Sequence, residues 1–264
     1  MVVATVQAAP RPREFVGVIG RDAAAFLQRM LTNDVLALVE GEACEALLLT
    51  PASKIVAPLV VWRRGADDFL LLTEPRLGAT VRATLLRARL ASRCAIEPEE
   101  HTSTLVLGGA DTGVTSREYG VPAVELLDAV MPAGTESVSE ATLERLRILA
   151  RAPRWGAELD SAVLPAEAGL DERAISFTKG CFPGQEPVVR LRHRGHVNRS
   201  LRVLALGGDV PPGTELTLDG KRVGRVTSIA PDPEHGRVAL AYVRREVPAA
   251  ASLDAGGVPA KIVG

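Results

Sequence analysis

From residue 201 onward the chain is a series of short apolar runs separated by turn signals, and this pattern constrains the fold more than any other feature of the sequence. Residues 201–206, 214–218, 221–229 and 237–243 read as strands, and Gly207-Gly208, Pro211-Pro212-Gly213 and Asp219-Gly220 lie between them. Asp219-Gly220 is the sharpest of these signals, because both central residues of a type I′ hairpin turn take positive φ. The last segment is therefore expected to form a small closed or nearly closed β-barrel.

Upstream, strands and helices alternate without a βαβ rhythm. Asp22 reads as the N-cap of a helix with Phe26, Leu27, Met30 and Leu31 on one face, ending at Asn33-Asp34. Runs at 43–49 and 54–62, joined by Thr50-Pro51-Ala52-Ser53, and a third at 69–72 form an antiparallel meander. Pro75 suits the first turn of a helix reaching about Leu90, along which Leu77, Val81, Leu85 and Leu86 keep helical spacing. Strands are expected at 103–107 and 123–127, and Ser139 is positioned to cap a helix carrying Leu143 and Leu146. The fold class is α+β: antiparallel sheets with helices packed on them over residues 1–196, then a C-terminal β-barrel domain over 197–264.

With 31 basic and 32 acidic side chains the net charge is -1, which argues against a bulk polyanion binder while leaving room for a local basic site. No apolar run approaches the ~20 residues needed to cross a bilayer, and no basic, then apolar leader opens the sequence. A cytoplasmic protein without a membrane partner is expected. Cys44, Cys94 and Cys181 are an odd number with no C-x-x-C pair, so neither a disulfide framework nor a zinc ribbon is encoded. Cys44 and Cys94 lie in strand-like runs and read as inert buried thiols.

Cys181 stands apart. It lies in Lys179-Gly180-Cys181-Phe182-Pro183-Gly184-Gln185-Glu186, where two glycines bracket the cysteine and Pro183 stiffens the path between them, as in a defined loop that presents one thiol. Lys179 and the arginines downstream favour thiolate, the form that attacks and that binds metal. The run from Arg190 to Arg202 holds five arginines with His193 and His196. In a strand, Arg190, Arg192 and Arg194 would share one face, either as a solvated edge or as an anion site for a carboxylate or phosphate tail. The two histidines have metal-like spacing but no fourth ligand, so no metal site is expected.

At these residues the sequence resembles the YgfZ family, folate-binding relatives of the glycine-cleavage T-protein, an aminomethyltransferase. The family signature K-G-C-[FY]-x-G-Q-E is matched at every specified position from Lys179 to Glu186. The segments Leu146-Arg147-Ile148, Trp155-Gly156-Ala157-Glu158-Leu159 and Leu164-Pro165-Ala166-Glu167-Ala168-Gly169-Leu170 look like the T-protein approach to the same place. So do Leu31-Thr32-Asn33-Asp34-Val35, Leu49-Thr50-Pro51 and Lys54-Ile55. The likeness covers most of the chain and is strongest over about 143–205.

The resemblance implies a folate-binding domain around a central pocket, closed over by the barrel, with tetrahydrofolate or a derivative as cofactor. It also implies a role in assembling or maintaining iron–sulfur client enzymes, including those that modify tRNA, with Cys181 as the key thiol and Lys179 beside it. On this reading Arg147, Trp155, Glu158 and Glu167 contribute to the pocket: Trp155 stacks on a folate ring, a carboxylate accepts from the pterin amino group, and an arginine such as Arg190 holds the glutamate tail, with Gln185 close by. One departure counts against glycine-cleavage activity. The T-protein places an acidic residue after the strand corresponding to 69–72, and here no Asp or Glu lies between Glu74 and Glu97. Its Gly-Glu-Asp-Gly stretch is replaced, on this reading, at Gly120-Val121-Pro122-Ala123. A folate-dependent one-carbon transferase and an RNA-contacting module using 190–202 are the alternatives, and 3% aromatic residues argue against a surface on which single strands stack.

Overall fold

The computed structural model describes residues 6–263 apart from 109, 111, 132 and 133, and of Arg194 the backbone alone. Strands β1 (Gln7–Pro10) and β2 (Glu14–Ile19) precede helix α1 (Ala23–Met30), and a meander of β3 (Ala43–Leu49), β4 (Ile55–Gly65) and β5 (Asp68–Thr73) leads to α2 (Gly78–Arg89). Next come β6 (Ala95–Glu99), β7 (Ser103–Leu107), β8 (Val114–Ser116), β9 (Ala123–Leu127), β10 (Glu136–Ser137) and α3 (Glu140–Leu149). A 3-10 turn at Pro165–Ala168 and α4 (Gln185–Arg194) precede β11 (Arg199–Leu206), β12 (Glu215–Leu218), β13 (Lys221–Asp232), β14 (Gly236–Arg244), β15 (Ser252–Ala255) and β16 (Val258–Ile262).

Among the described residues these strands make three sheets. One runs β3-β4-β5-β2-β6, another β10-β1-β7-β9-β8, and the third is a closed barrel in the order β11-β14-β13-β12-β15-β16. Asp219 and Gly220 have φ of 52° and 74°, the turn their sequence anticipates between β12 and β13. The barrel closes through β15 and β16, which local pattern did not single out; β16 returns to pair with β11.

Helix starts show which local signals hold. Ser139 Oγ accepts the Thr142 N–H, the expected cap of α3. Asp22 precedes α1 but turns its carboxylate to the Arg93 N–H instead of capping the helix. The second helix begins at Gly78 and not at Pro75, because Arg76 takes a left-handed φ of 72°. Glu14, reaching across from β2, accepts the N–H groups of Arg76 and Gly78 at 2.7 Å each. The strand in which Arg190, Arg192 and Arg194 would share one face does not form: these residues lie on α4, which Gly184 starts from a φ of 81°. A helix spreads its side chains around an axis, so no row of alternate arginines lines a sheet edge, and the Arg194 side chain lies outside the described residues.

One apolar cluster joins the two halves. Leu47, Leu49 and Ile55 of the meander, Ile148 of α3, and Phe182 and Val188 flanking the start of α4 pack with Leu201, Val203, Leu240 and Tyr242 of the barrel. Burying a large aliphatic side chain contributes about 1.5–3 kcal/mol, so the barrel is part of a shared core.

Candidate functional site

The octapeptide loop is pinned on either side of its cysteine. The Lys179 ammonium, 8% exposed, donates to the carbonyls of Gln28 and Leu31 at 2.5 Å and of Asn33 at 3.0 Å. These carbonyls lie at and just past the end of α1, where a helix leaves acceptors without partners. Burial pushes Lys179 down to about 8, and with each of its three N–H groups met by a carbonyl it stays charged at neutral pH. Phe182 is buried in the shared core. At Gly184 a Cβ would lie 2.5 Å from the Thr50 carbonyl oxygen, and the Ser53 hydroxyl donates to the Gly184 carbonyl at 2.7 Å. Cys181, between these anchors, is exposed, whereas Cys94 is buried and Cys44 is half-buried in β3. Burial pushes the Cys44 thiol up to about 12.

The other residues singled out from sequence are not gathered around one hollow. Arg147 is buried and uses every donor: Nε and Nη2 on the Glu144 carboxylate, Nη1 on the Ala152 carbonyl and Glu158 Oε2, and Nη2 also on Ser228 Oγ. Glu158, 2% exposed, accepts from Arg147, the Arg154 N–H and the Ser228 hydroxyl. Together these two staple α3 to β13 of the barrel. Trp155 is half-buried and packs against both the core of the N-terminal half and the core shared with the barrel. Glu167 holds Arg199 and the Leu164 N–H. Gln185 opens α4, and Arg190 makes an exposed pair with Glu186 at 2.7 Å. Among the described residues no group of three or more His, Cys, Asp or Glu is placed to hold a metal ion.

Sequence reasoning passed over a second cluster. Arg11 and Arg13, just after β1, converge with Glu74, Glu118 and Glu125: Arg11 bonds Glu74 at 2.6 Å and Glu118 at 2.9 Å, while Arg13 bonds Glu74 and Glu118 at 2.9 Å and Glu125 at 2.5 Å. Burial alone would raise the Glu118 carboxyl, but Arg13 and Arg11 outweigh it and hold the group well below the usual carboxylate range. Arg11, Glu74, Glu118, Tyr119, Glu144 and Arg147 line a cavity of about 370 Å³. Arg11 Nε is buried there without a hydrogen-bond partner among the described residues, an uncommon state for a charged donor. Glu74 directly follows β5, and Glu118-Tyr119 immediately precede Gly120, so carboxylates do stand beside both segments where the T-protein acids are absent. The available signal was two arginines one residue apart in an extended segment with no acid between them.

Residues 198–263 match the model of the CAF17 C-terminal β-barrel domain. The C-terminal domain is a CAF17-type barrel. Over 88% of its length the chain is 25% identical to a putative chloroplastic transferase of Arabidopsis thaliana, covering 63% of that protein. It is also 25% identical, over 79% of its length, to the mitochondrial iron-sulfur cluster assembly factor IBA57 homolog of Neurospora crassa, covering 55% of it. An aminomethyltransferase of Geobacillus kaustophilus is 25% identical, with 88% of this chain and 77% of that one covered. The crystal structure of glycine cleavage system aminomethyltransferase T from Bartonella henselae superposes with a TM-score of 0.86 over 99% of this chain and 86% of that chain, at 19% identity. The fold is aminomethyltransferase-like, ending in the CAF17-type barrel, and the YgfZ resemblance read from the octapeptide stands on that barrel, these relatives and this fold. No helix of the described residues is long and apolar enough to cross a membrane.

Proposed function

We propose that this protein is an accessory factor for iron–sulfur cluster assembly or repair that acts in the cytoplasm, holds a reduced folate, and uses Cys181 as its working thiol. The observation that carries the proposal is the presentation of that sulfur. Cys181 is exposed on a loop anchored through Lys179, Phe182 and Gly184, while Cys44 and Cys94 are withdrawn into strands or core. A thiol fixed in place and open to solvent is suited to meeting a cluster, as cargo, on a client protein. The relative named an iron-sulfur cluster assembly factor supports this class of role, and iron–sulfur enzymes that modify tRNA are among the clients it would serve.

For the folate, the cavity beside Arg11 is the fitting place. The unpartnered Arg11 Nε–H calls for an acceptor such as a pterin carbonyl or ring nitrogen, Glu74 and Glu118 offer acceptors for a pterin amino group, and Tyr119 supplies an aromatic wall. About 370 Å³ accommodates the ring end of the molecule. A bound reduced folate supplies a one-carbon carrier. One-carbon transfer to an unknown amine is the second reading, favoured by the aminomethyltransferase-like fold. Against it, Arg11 and Arg13 both bridge Glu118 and hold it well below the usual carboxylate range, and a carboxylate held ionised in that way is a weak base.

The test is complementation: cells lacking the protein receive the Cys181→Ala variant, and an iron–sulfur enzyme is assayed. Loss of client activity with normal protein levels is expected, and full rescue would remove the thiol from the mechanism. Titration of the purified protein with tetrahydrofolate, alongside an Arg11→Met variant, tests the folate site separately; equal affinity in both would overturn that placement.

A further inference from the structure

A second and larger cavity, about 990 Å³, shares no lining residue with the Arg11 cavity. Arg151, Arg192, Arg202 and Arg245 reach it from the end of α3, from α4, from β11 and from the turn after β14. Among the described residues none of the four meets a carboxylate. Arg202 Nε donates to the Ser200 hydroxyl at 3.1 Å, the Arg192 guanidinium lies 4.0 Å over the Phe177 ring, and the side chains of Arg151 and Arg245 make no hydrogen bond to the described residues. Glu167 reaches the same cavity, but both its oxygens are taken by Arg199. Asp171 and Glu172 are the remaining acids on the wall. In a chain of net charge -1, four arginines without acid partners converging on one hollow are not a by-product of a basic composition.

We propose that this cavity binds a small phosphorylated ligand with two or more anionic groups on a partly apolar body, the chemical class of a nucleoside di- or triphosphate. Guanidinium forks match phosphate oxygens, and their spread over four elements suits several spaced anions better than one. Leu164, Val188, Leu191 and Leu201 line the same space and give a base or other flat group an apolar surface. The volume is that of a site for a whole small molecule. The proposal depends on neither Cys181 nor folate.

The experiment is calorimetric titration of the full chain with ATP, inorganic triphosphate and adenosine, without divalent cations, at about 150 mM salt, where weak surface attraction is largely screened. ATP is expected to bind, inorganic triphosphate more weakly and adenosine more weakly still. Arg192→Gln and Arg202→Gln should each weaken ATP binding about tenfold, the loss of one charge-assisted contact. Arg87→Gln, on the exposed side of α2, should leave it unchanged. Circular dichroism checks folding, and Arg245→Gln, on an exposed turn, replaces any variant that does not fold. No binding of ATP up to about 5 mM, or equal affinity in the Arg192→Gln/Arg202→Gln double variant, overturns the proposal. So does displacement of ATP by tetrahydrofolate, or a far tighter and steeply salt-dependent affinity for a single-stranded oligonucleotide.

Discussion

The two glycines of the octapeptide have different physical duties. Gly184 sits at φ 81° with the Thr50 carbonyl 2.5 Å from where a Cβ would stand, whereas a Cβ at Gly180 meets nothing within 4 Å. Gly184→Ala is therefore expected to destabilise the protein by about 1–3 kcal/mol from backbone strain alone, and Gly180→Ala to change stability by no more than about 0.5 kcal/mol. Urea titrations of both variants check this, and equal effects would show that the loop is not anchored at Gly184. The motif itself was plain in the sequence, as was the distinct character of Cys181. The duty of Lys179 was not: its three acceptors lie 146 to 151 residues earlier in the chain, so a side chain expected to tune a thiolate proves to be tied to the end of α1.

Single elements were legible where their cause is local. Ser139 before α3, Asp219-Gly220 between β12 and β13, and the meander from β3 to β5 all follow from neighbouring residues. Strands β1 and β2 were hidden, since β2 is wedged between β5 and β6 by pairing with residues about 50 or more positions away. His101 depends on similar distance. Its ring nitrogens contact Glu99 of β6 at 2.9 Å and Asp128 after β9 at 2.6 Å, so it ties the two five-stranded sheets together. Burial works against its charge, but the two carboxylates prevail and raise its pKa above 6.5. A raised folded pKa means that the stabilisation is complete below the unfolded value and is lost as pH climbs through the folded one. His101→Gln should thus cost more stability at pH 6 than at pH 8.5. Denaturant midpoints at both values measure it, and equal losses would show that the clamp does not depend on charge.

At the scale of the whole molecule, the barrel and the preceding domain share one core, and the buried Arg147–Glu158 pair of the preceding domain is tied to Ser228 of the barrel. Removing the guanidinium in Arg147→Met leaves Glu158, 2% exposed, without its cation. An unpaired buried charge costs about 3–5 kcal/mol. Because both partners also bond Ser228 of β13, a lower but still single unfolding transition is expected, with Trp155 fluorescence and far-UV circular dichroism coinciding. Separate transitions would show that the two halves unfold independently. By itself the sequence determined the α+β class, the hairpin-built barrel, the capped α3 and the singular cysteine, all consequences of residues within a few positions of one another. Tertiary structure alone decided which charges are spent and which are free. Arg147 and Glu158 satisfy each other and both reach Ser228 across the domain junction, Arg11 is left with an open donor in a cavity, and four arginines from separate elements face one hollow, because an ion pair depends on proximity in space and the chain brings distant residues together only by folding.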